Sequence, residues 1–254
     1  MRYTIDINCD LGETPGTQVN VLDEALLDLV SSANIACGFH AGDAMRMETT
    51  IAAAAQRGVA IGAHPGFDDK DNFGRIPQPI TPKETYQLVL YQLGALSGFV
   101  HVAGAKMQHV KLHGALYNMV AQDRLLSEAI VDVIWDFDPS LKLYALAGSV
   151  TVDVAKARGL RVVQEGFADR RYQSDGTLVS RQDPLALITD RKEALEQSIL
   201  MVKKQAVRSI DQQLVAREIE TICIHGDGEH ALSFAQDLRH HLEQENIHII
   251  APVL

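Results

Sequence analysis

Carboxylates and imidazoles recur in this chain at the ends of short apolar runs. Asp10 and Glu13 close DINCDLGE, His40 and Asp43 close SANIACGFHAGD, and His64 closes IGAHPGF. Lys111 and His113 fall in VKLHGALYN, Glu165 opens EGFADRRY, and His225 and Asp227 end ICIHGD. These residue types move protons, stabilise developing charge or ligate a divalent cation near neutral pH. One histidine beside an apolar run is more often a hydrogen-bonded structural group. Four from separate runs, His40, His64, His113 and His225, with acidic neighbours, point instead to a shared pocket.

The elements that position them follow from periodicity. Short apolar runs predict strands at 4–10, 32–39, 59–65, 109–115, 141–147, 161–167 and 221–227, with the last residues, 247–254, as an eighth short strand or a tail. Amphipathic stretches between them predict helices at 22–30, 44–57, 82–103, 122–137, 149–158, 190–207 and 229–245. Such alternation implies a parallel sheet with helical crossovers. Side chains two apart share a strand face, which groups Asp6, Asn8 and Asp10, leads from Asn34 to His40, and pairs Lys111 with His113 and Cys223 with His225 and Asp227. The polar residues fall late in their strands, and carboxy-terminal strand ends meet in one cavity only if the sheet closes. The expectation is therefore an α/β fold: a single-domain, TIM-like (β/α) barrel of seven or eight strands spanning residues 1–254. No linker, low-complexity tract or short repeat interrupts the rhythm.

Three further features bear on ligands. Lys111 lies inside an apolar strand, where an ammonium costs several kcal/mol unless it is paired, as with Asp10, or faces a polar cavity. The glycine-punctuated loop GAHPGFDDKDNFGR ends in Arg75, a cation for an anionic substrate or part of a solvated surface loop. Arg170 and Arg171 follow a strand end, suited to carboxylate or phosphate recognition or to an ion-pair network closing the barrel mouth. Asn34, in the second predicted strand, joins Glu13, Asp43, Glu165, Arg170, His225 and Asp227 as candidate binding groups.

Composition excludes several classes. With 254 residues, 46% of them hydrophobic, the chain can bury a large core, while a net charge of -10 argues against a nucleic-acid surface. No run approaches the roughly 20 apolar residues of a membrane span, and a carboxylate early in MRYTIDINCD is unlike a secretory signal, so a cytoplasmic, non-membrane protein is expected. Cys9, Cys37 and Cys223 follow no CxxC spacing and read as buried free thiols. The usual phosphate loop, dinucleotide turn, zincin helix and serine elbow are all missing.

Taken together, DINCDLGE, SANIACGFHAGD, IGAHPGF, FGR, YQLGAL, VKLHGALYN, EGFADRRY, LVSR and ICIHGD resemble the LamB/YcsF family from residue 4 to beyond residue 230. The resemblance implies a barrel related to the glycoside hydrolase and deacetylase barrels, and a role as the A subunit of 5-oxoprolinase. That role is ATP-dependent opening of 5-oxoproline to glutamate with subunits B and C. The chain departs from the family's pattern at Pro15, Ile76 and Leu112. Asp10 is then expected as general base, oriented by His40, His64 or His113, with Lys111 stabilising the oxyanion or a phosphorylated intermediate. Alternatively, Asp10, His40, His64 and His113 ligate a divalent metal, as in a stand-alone metal-dependent amidohydrolase or deacetylase. A non-catalytic sugar- or amino-acid-binding regulator is the third reading.

Overall fold

The computed structural model of the chain describes residues 3–14, 20–180, 183–224 and 231–252. Seven parallel strands close into a ring: β1 (Tyr3–Leu11), β2 (Ser32–Ala36), β3 (Ala60–His64), β4 (Met107–Lys111), β5 (Lys142–Leu146), β6 (Val162–Phe167) and β9 (Thr221–Ile224), the last pairing with both β6 and β1. The candidate tail forms a strand, β10 (Ile247–Ile249), which pairs with the first residues of β1 and stands outside the ring. The barrel is thus seven-stranded, one of the two expected sizes.

Around it run α1 (Val21–Leu27), α2 (Ala44–Arg57), α3 (Pro82–Val102), α4 (Gly114–Val120), α5 (Arg124–Phe137), α6 (Val150–Arg158), α7 (Arg191–Lys204) and α8 (Ala231–Gln244). Local chemistry sets the helix starts. Asn20, Asp43, Asp123 and Asp190 accept N–H bonds from the first turns of α1, α2, α5 and α7, and Thr81 forms a capping box with Glu84 ahead of α3. None of the described helices is long and apolar enough to cross a membrane.

Two expectations need correction. The strand predicted at 109–115 begins at Met107 and ends at Lys111, because Gly114 adopts a positive φ of 56° and starts α4, a helix hidden by its apolar composition. Between α7 and β9, where a single helix to 207 was expected, the chain leaves the helix at Gln205 and forms an antiparallel pair, β7 (Ala206–Arg208) with β8 (Leu214–Ala216). Residues 225–227, expected to extend β9, lie outside the described residues.

The alternation within β1 holds. Ile7 and Cys9 pack in the apolar core, while Asp6, Asn8 and Asp10 bond to partners from other strands across the barrel interior. The interior is layered and polar. At the floor, Asp6 accepts bonds from Ser31 (2.6 Å), Ser32 (2.8 Å) and Thr221 (2.6 Å); burial pushes its carboxyl up, opposed by these hydroxyls. Above it, His109 Nε2 donates to Asn34 Oδ1 (2.8 Å), and its ring stacks on Tyr144. Gly62 makes room for that ring: a Cβ there would lie 2.5 Å from His109 Cε1.

Candidate active site

The next layer is built on Lys111, only 2% exposed. Its Nζ lies 2.9 Å from Asp10 Oδ1, 3.1 Å from Glu165 Oε1 and 3.2 Å from Asn8 Oδ1, with Cys223 Sγ at 2.9 Å. Burial alone would lower the ammonium's pKa, but Asp10, the Cys223 sulfur and Glu165 together outweigh it and hold the group well above the ordinary lysine value. The carboxylates are themselves braced. Asn34 Nδ2 donates to Asp10 Oδ1 (2.8 Å), Asn8 Nδ2 to Glu165 Oε1 (2.9 Å), and Tyr117 Oη to Glu165 Oε2 (2.7 Å). Two anions flank one cation, so one negative charge is left over at the base of the well.

Above this layer stand three imidazoles. His40 and His113 stack with centroids 3.7 Å apart, and His64 meets both edge-on. Their tautomers follow from their partners. His64 Nδ1 lies 2.8 Å from the Lys111 carbonyl and His113 Nε2 lies 2.8 Å from the Phe73 carbonyl. A carbonyl can only accept, so both nitrogens carry protons. In the neutral rings, His64 Nε2 and His113 Nδ1 are therefore both lone pairs, yet they face each other at 2.9 Å. Glu13 Oε1 lies 3.5 Å from His113 Nδ1 and 3.4 Å from His40 Nε2, and Asp10 Oδ2 lies 3.4 Å from His64 Nε2. Facing lone pairs with carboxylates alongside repel unless a cation is shared among them, either a proton or a metal. Burial, followed by the neighbouring imidazoles, pushes His40 well down and His113 down to about 3, which disfavours the proton. Neither nitrogen of His40 has a hydrogen-bond partner among the described residues. Glu13, His40, His64 and His113 together offer donor atoms all within 4.8 Å of one another, three nitrogens and one oxygen, which is the donor chemistry of a zinc-like divalent cation.

The 66–76 loop is clamped over this cluster. Phe73 sits at φ 55°, a strained conformation for a bulky side chain, which presents its carbonyl to His113. Gly74 passes so close that a Cβ would come 2.8 Å from His40 Cβ. The loop thereby brings Arg75 to the rim, where it lines a narrow well of about 50 Å³ together with Asp10, Glu13, His64, Lys111 and His113. Tyr117, Phe167 and Arg170 complete the wall.

The structure thus brings Asp10, Glu13, His40, His64, Lys111, His113 and Glu165 into contact, and places Arg75 and Arg170 at the rim. Asn34 is fully buried beneath the well, where it positions Asp10. Asp43 caps α2 through a bond from the Arg46 amide and does not line the well. Arg171 pairs with Glu193 on the surface. His225 and Asp227 lie outside the described residues. Asn8, Phe73 and Tyr117 were missed. Tyr117 stands one helical turn beyond His113, a signal that appears only once 114–120 is read as a helix.

The chain matches the model of the LamB/YcsF family over residues 5–253. The A subunit of a 5-oxoprolinase from Bacillus licheniformis is 53% identical over 247 residues, covering 97% of this chain and 98% of that protein. A crystal structure of a lactam utilization protein from Thermus thermophilus is 41% identical, with a TM-score of 0.91, and covers 98% of this chain and 100% of that one. The catalytic domain of a peptidoglycan N-acetylglucosamine deacetylase from Eubacterium rectale shares the fold alone: TM-score 0.52 at 11% identity, covering 100% of this chain and 90% of that one.

Proposed function

Since this chain belongs to the LamB/YcsF family, we propose that it is the lactam-opening subunit of a 5-oxoprolinase, hydrolysing the ring amide of 5-oxo-L-proline to L-glutamate with ATP and partner subunits B and C. The observation that carries this reading is Lys111 pinned between Asp10 and Glu165, with the other oxygen of Asp10, Oδ2, lying 3.4 Å from His64 Nε2. A lactam amide is resonance-stabilised and its ring recloses easily, so opening it needs an activated carbonyl and an energy source. ATP supplies both by transferring its terminal phosphoryl group to the amide oxygen. Water then attacks the carbonyl carbon, the ring C–N bond breaks as its nitrogen takes up a proton, and the acyl phosphate so formed is hydrolysed by a second water to glutamate and phosphate. Asp10 takes the proton, His64 orients the water, and Lys111 stabilises the negative charge developing on oxygen. The well has room for the reacting amide rather than the whole ligand, leaving the remainder to the rim between Arg75 and Arg170.

The facing lone pairs of His64 and His113 fit a divalent cation, which His40, His64, His113 and Glu13 would hold. Bound there, it would act as a Lewis acid toward an oxygen in the well. The same observation favours a second reading, a metal-dependent amidohydrolase that needs no nucleotide.

The deciding experiment follows glutamate formation from 5-oxoproline by the chain alone and with subunits B and C, with and without ATP. Turnover only with ATP and both partners is expected. Turnover by the chain alone without ATP, on 5-oxoproline or acetylated sugars, would support the second reading. No turnover in any combination, despite tight 5-oxoproline binding, would leave a binding protein.

A further inference from the structure

Beside the well lies a cleft of about 690 Å³ that shares Arg75, Gly114, Asn118, Arg170 and Leu178 with it. It runs outward over the rim between α4, the start of α6 and the 175–180 segment, as far as Arg217 beyond β8. Among the described residues its charged lining is Arg75, Arg170, Arg217 and Asp175, in a chain of net charge -10.

Arg217 is half-buried and tethered by the backbone around it. Its guanidinium donates to the carbonyls of Ala216 and Asp175, and it threads between two glycines. A Cβ on Gly148 would come 2.9 Å from its Nε, and one on Gly176 would overlap the guanidinium. Its charge acts on the Asp175 carboxyl, which Thr177 first and Arg217 after it hold below the usual range, but without a direct ion pair. Arg217 has no carboxylate within ion-pair distance among the described residues, because Asp175 turns its carboxylate to the amide and hydroxyl of Thr177 (2.8 and 2.7 Å). Its Nε is buried and without a partner among them. Alongside it, Ser149 is the N-cap of α6 but makes no capping bond. It is 8% exposed, and its hydroxyl is buried with no partner among the described residues. The first amide of α6, on Val150, is already given to the Ala121 carbonyl, so the donors open to a ligand here are side chains rather than the helix end. An arginine fixed by carbonyls and a buried serine hydroxyl suit phosphate oxygens, which take several charge-assisted bonds at once. Pro77, Met119, Leu146 and Val150 give the same cleft an apolar wall.

We propose that this cleft binds a nucleoside polyphosphate, with the phosphates on Arg217 and Ser149, the terminal one directed past Arg170 and Arg75 toward the well, and the base against the apolar wall. This rests on the ATP-dependent reading above and extends it by giving the chain its own nucleotide site.

The test is calorimetric titration of the purified chain with ATP, ADP, tripolyphosphate and adenosine. Saturable binding of ATP is expected, with tripolyphosphate competing and adenosine weaker. Arg217→Ala should weaken it at least tenfold and Ser149→Ala several-fold, with unchanged thermal midpoints; Arg217→Lys keeps part of the affinity should the alanine variant fold poorly. No saturable binding up to millimolar ATP, or parental affinity in Arg217→Ala, overturns the proposal. In the reconstituted complex, lactam turnover by Arg217→Ala with the parental KM for ATP would remove this site while leaving the lactamase reading intact. Nucleotide binding without any lactam turnover would do the reverse.

Discussion

Replacing Lys111 with methionine tests how the charged layer is held. The side chain is 2% exposed and its ammonium is shared by Asp10 and Glu165, of which Glu165 is fully buried. Methionine keeps most of the volume and removes the charge, leaving two carboxylates facing each other in a closed barrel. Breaking a buried pair from one side costs about 3–5 kcal/mol. For a chain of this size each kcal/mol moves the thermal midpoint by about 2–4 °C, so a fall of roughly 6–20 °C is expected at pH 8. The deficit should depend on pH in a defined direction. Without the ammonium, burial and mutual repulsion raise the folded-state pKa of the two carboxyls, so the folded variant binds more protons than the unfolded chain and gains stability as the pH falls. The parent behaves oppositely at the other extreme: the raised Lys111 pKa contributes stability below the ordinary lysine value that is lost only as the pH climbs through the folded value. Thermal unfolding followed by circular dichroism between pH 5 and 8 reads the variant's dependence, and an alkaline series reads the parent's. Adding Glu165→Gln to Lys111→Met should recover part of the loss, a coupling that a double-mutant cycle isolates. A Lys111→Met midpoint within about 2 °C of the parent at pH 8, less than the smallest shift expected for a single kcal/mol, or a deficit that ignores pH, would refute the charge pairing.

Gly62→Ala should destabilise the protein by about 1–3 kcal/mol in urea unfolding, because the added Cβ meets a His109 ring fixed by Asn34 and Tyr144; an unchanged midpoint would mean that the ring moves freely. His109 itself is pushed down to about 3, first by burial and then by Lys142 and Lys111. The unfolded chain therefore takes up a proton below the ordinary histidine value that the fold refuses, and stability should fall with decreasing pH below about 6.5 by up to about 1.4 kcal/mol per unit. His109→Gln should flatten that slope, and a slope equal to the parent's would exclude His109 as its source. Zinc or manganese titrated into the metal-free chain should bind one to one and raise the thermal midpoint with concentration, and His64→Gln should lose at least tenfold in affinity; equal binding by the variant would place the cation elsewhere.

Parity along β1 was enough to turn Asp10 inward and Ile7 and Cys9 outward, because a strand's two faces are fixed by its backbone. Likewise the alternation of apolar runs and amphipathic stretches carried the barrel and seven of the eight described helices. What it could not carry was geometry set across the ring. Nothing local says that Asn34 spends its amide on Asp10, or that the Phe73 carbonyl fixes the His113 tautomer, since each bond joins residues tens of positions apart. The first two residues of the apolar run GALYNMV were read as the end of a strand and the rest were assigned to no element, because the composition suits either a strand or a helix, and Tyr117 was lost with them. Asp43 shows the converse. A carboxylate close behind a histidine was read only as a candidate binding group, and its position just before Ala44 also makes it a helix cap.

The most direct measurement is single-turnover glutamate formation by Asp10→Asn in the complex with its partner subunits, set against the parent at saturating ATP. Asparagine preserves the shape and leaves Lys111 paired with Glu165, so the thermal midpoint should stay within a few degrees while the rate falls by about 10²–10⁴. Parental turnover from a well-folded Asp10→Asn protein would contradict the account, because the chemistry would then lie outside the well that the strand ends enclose.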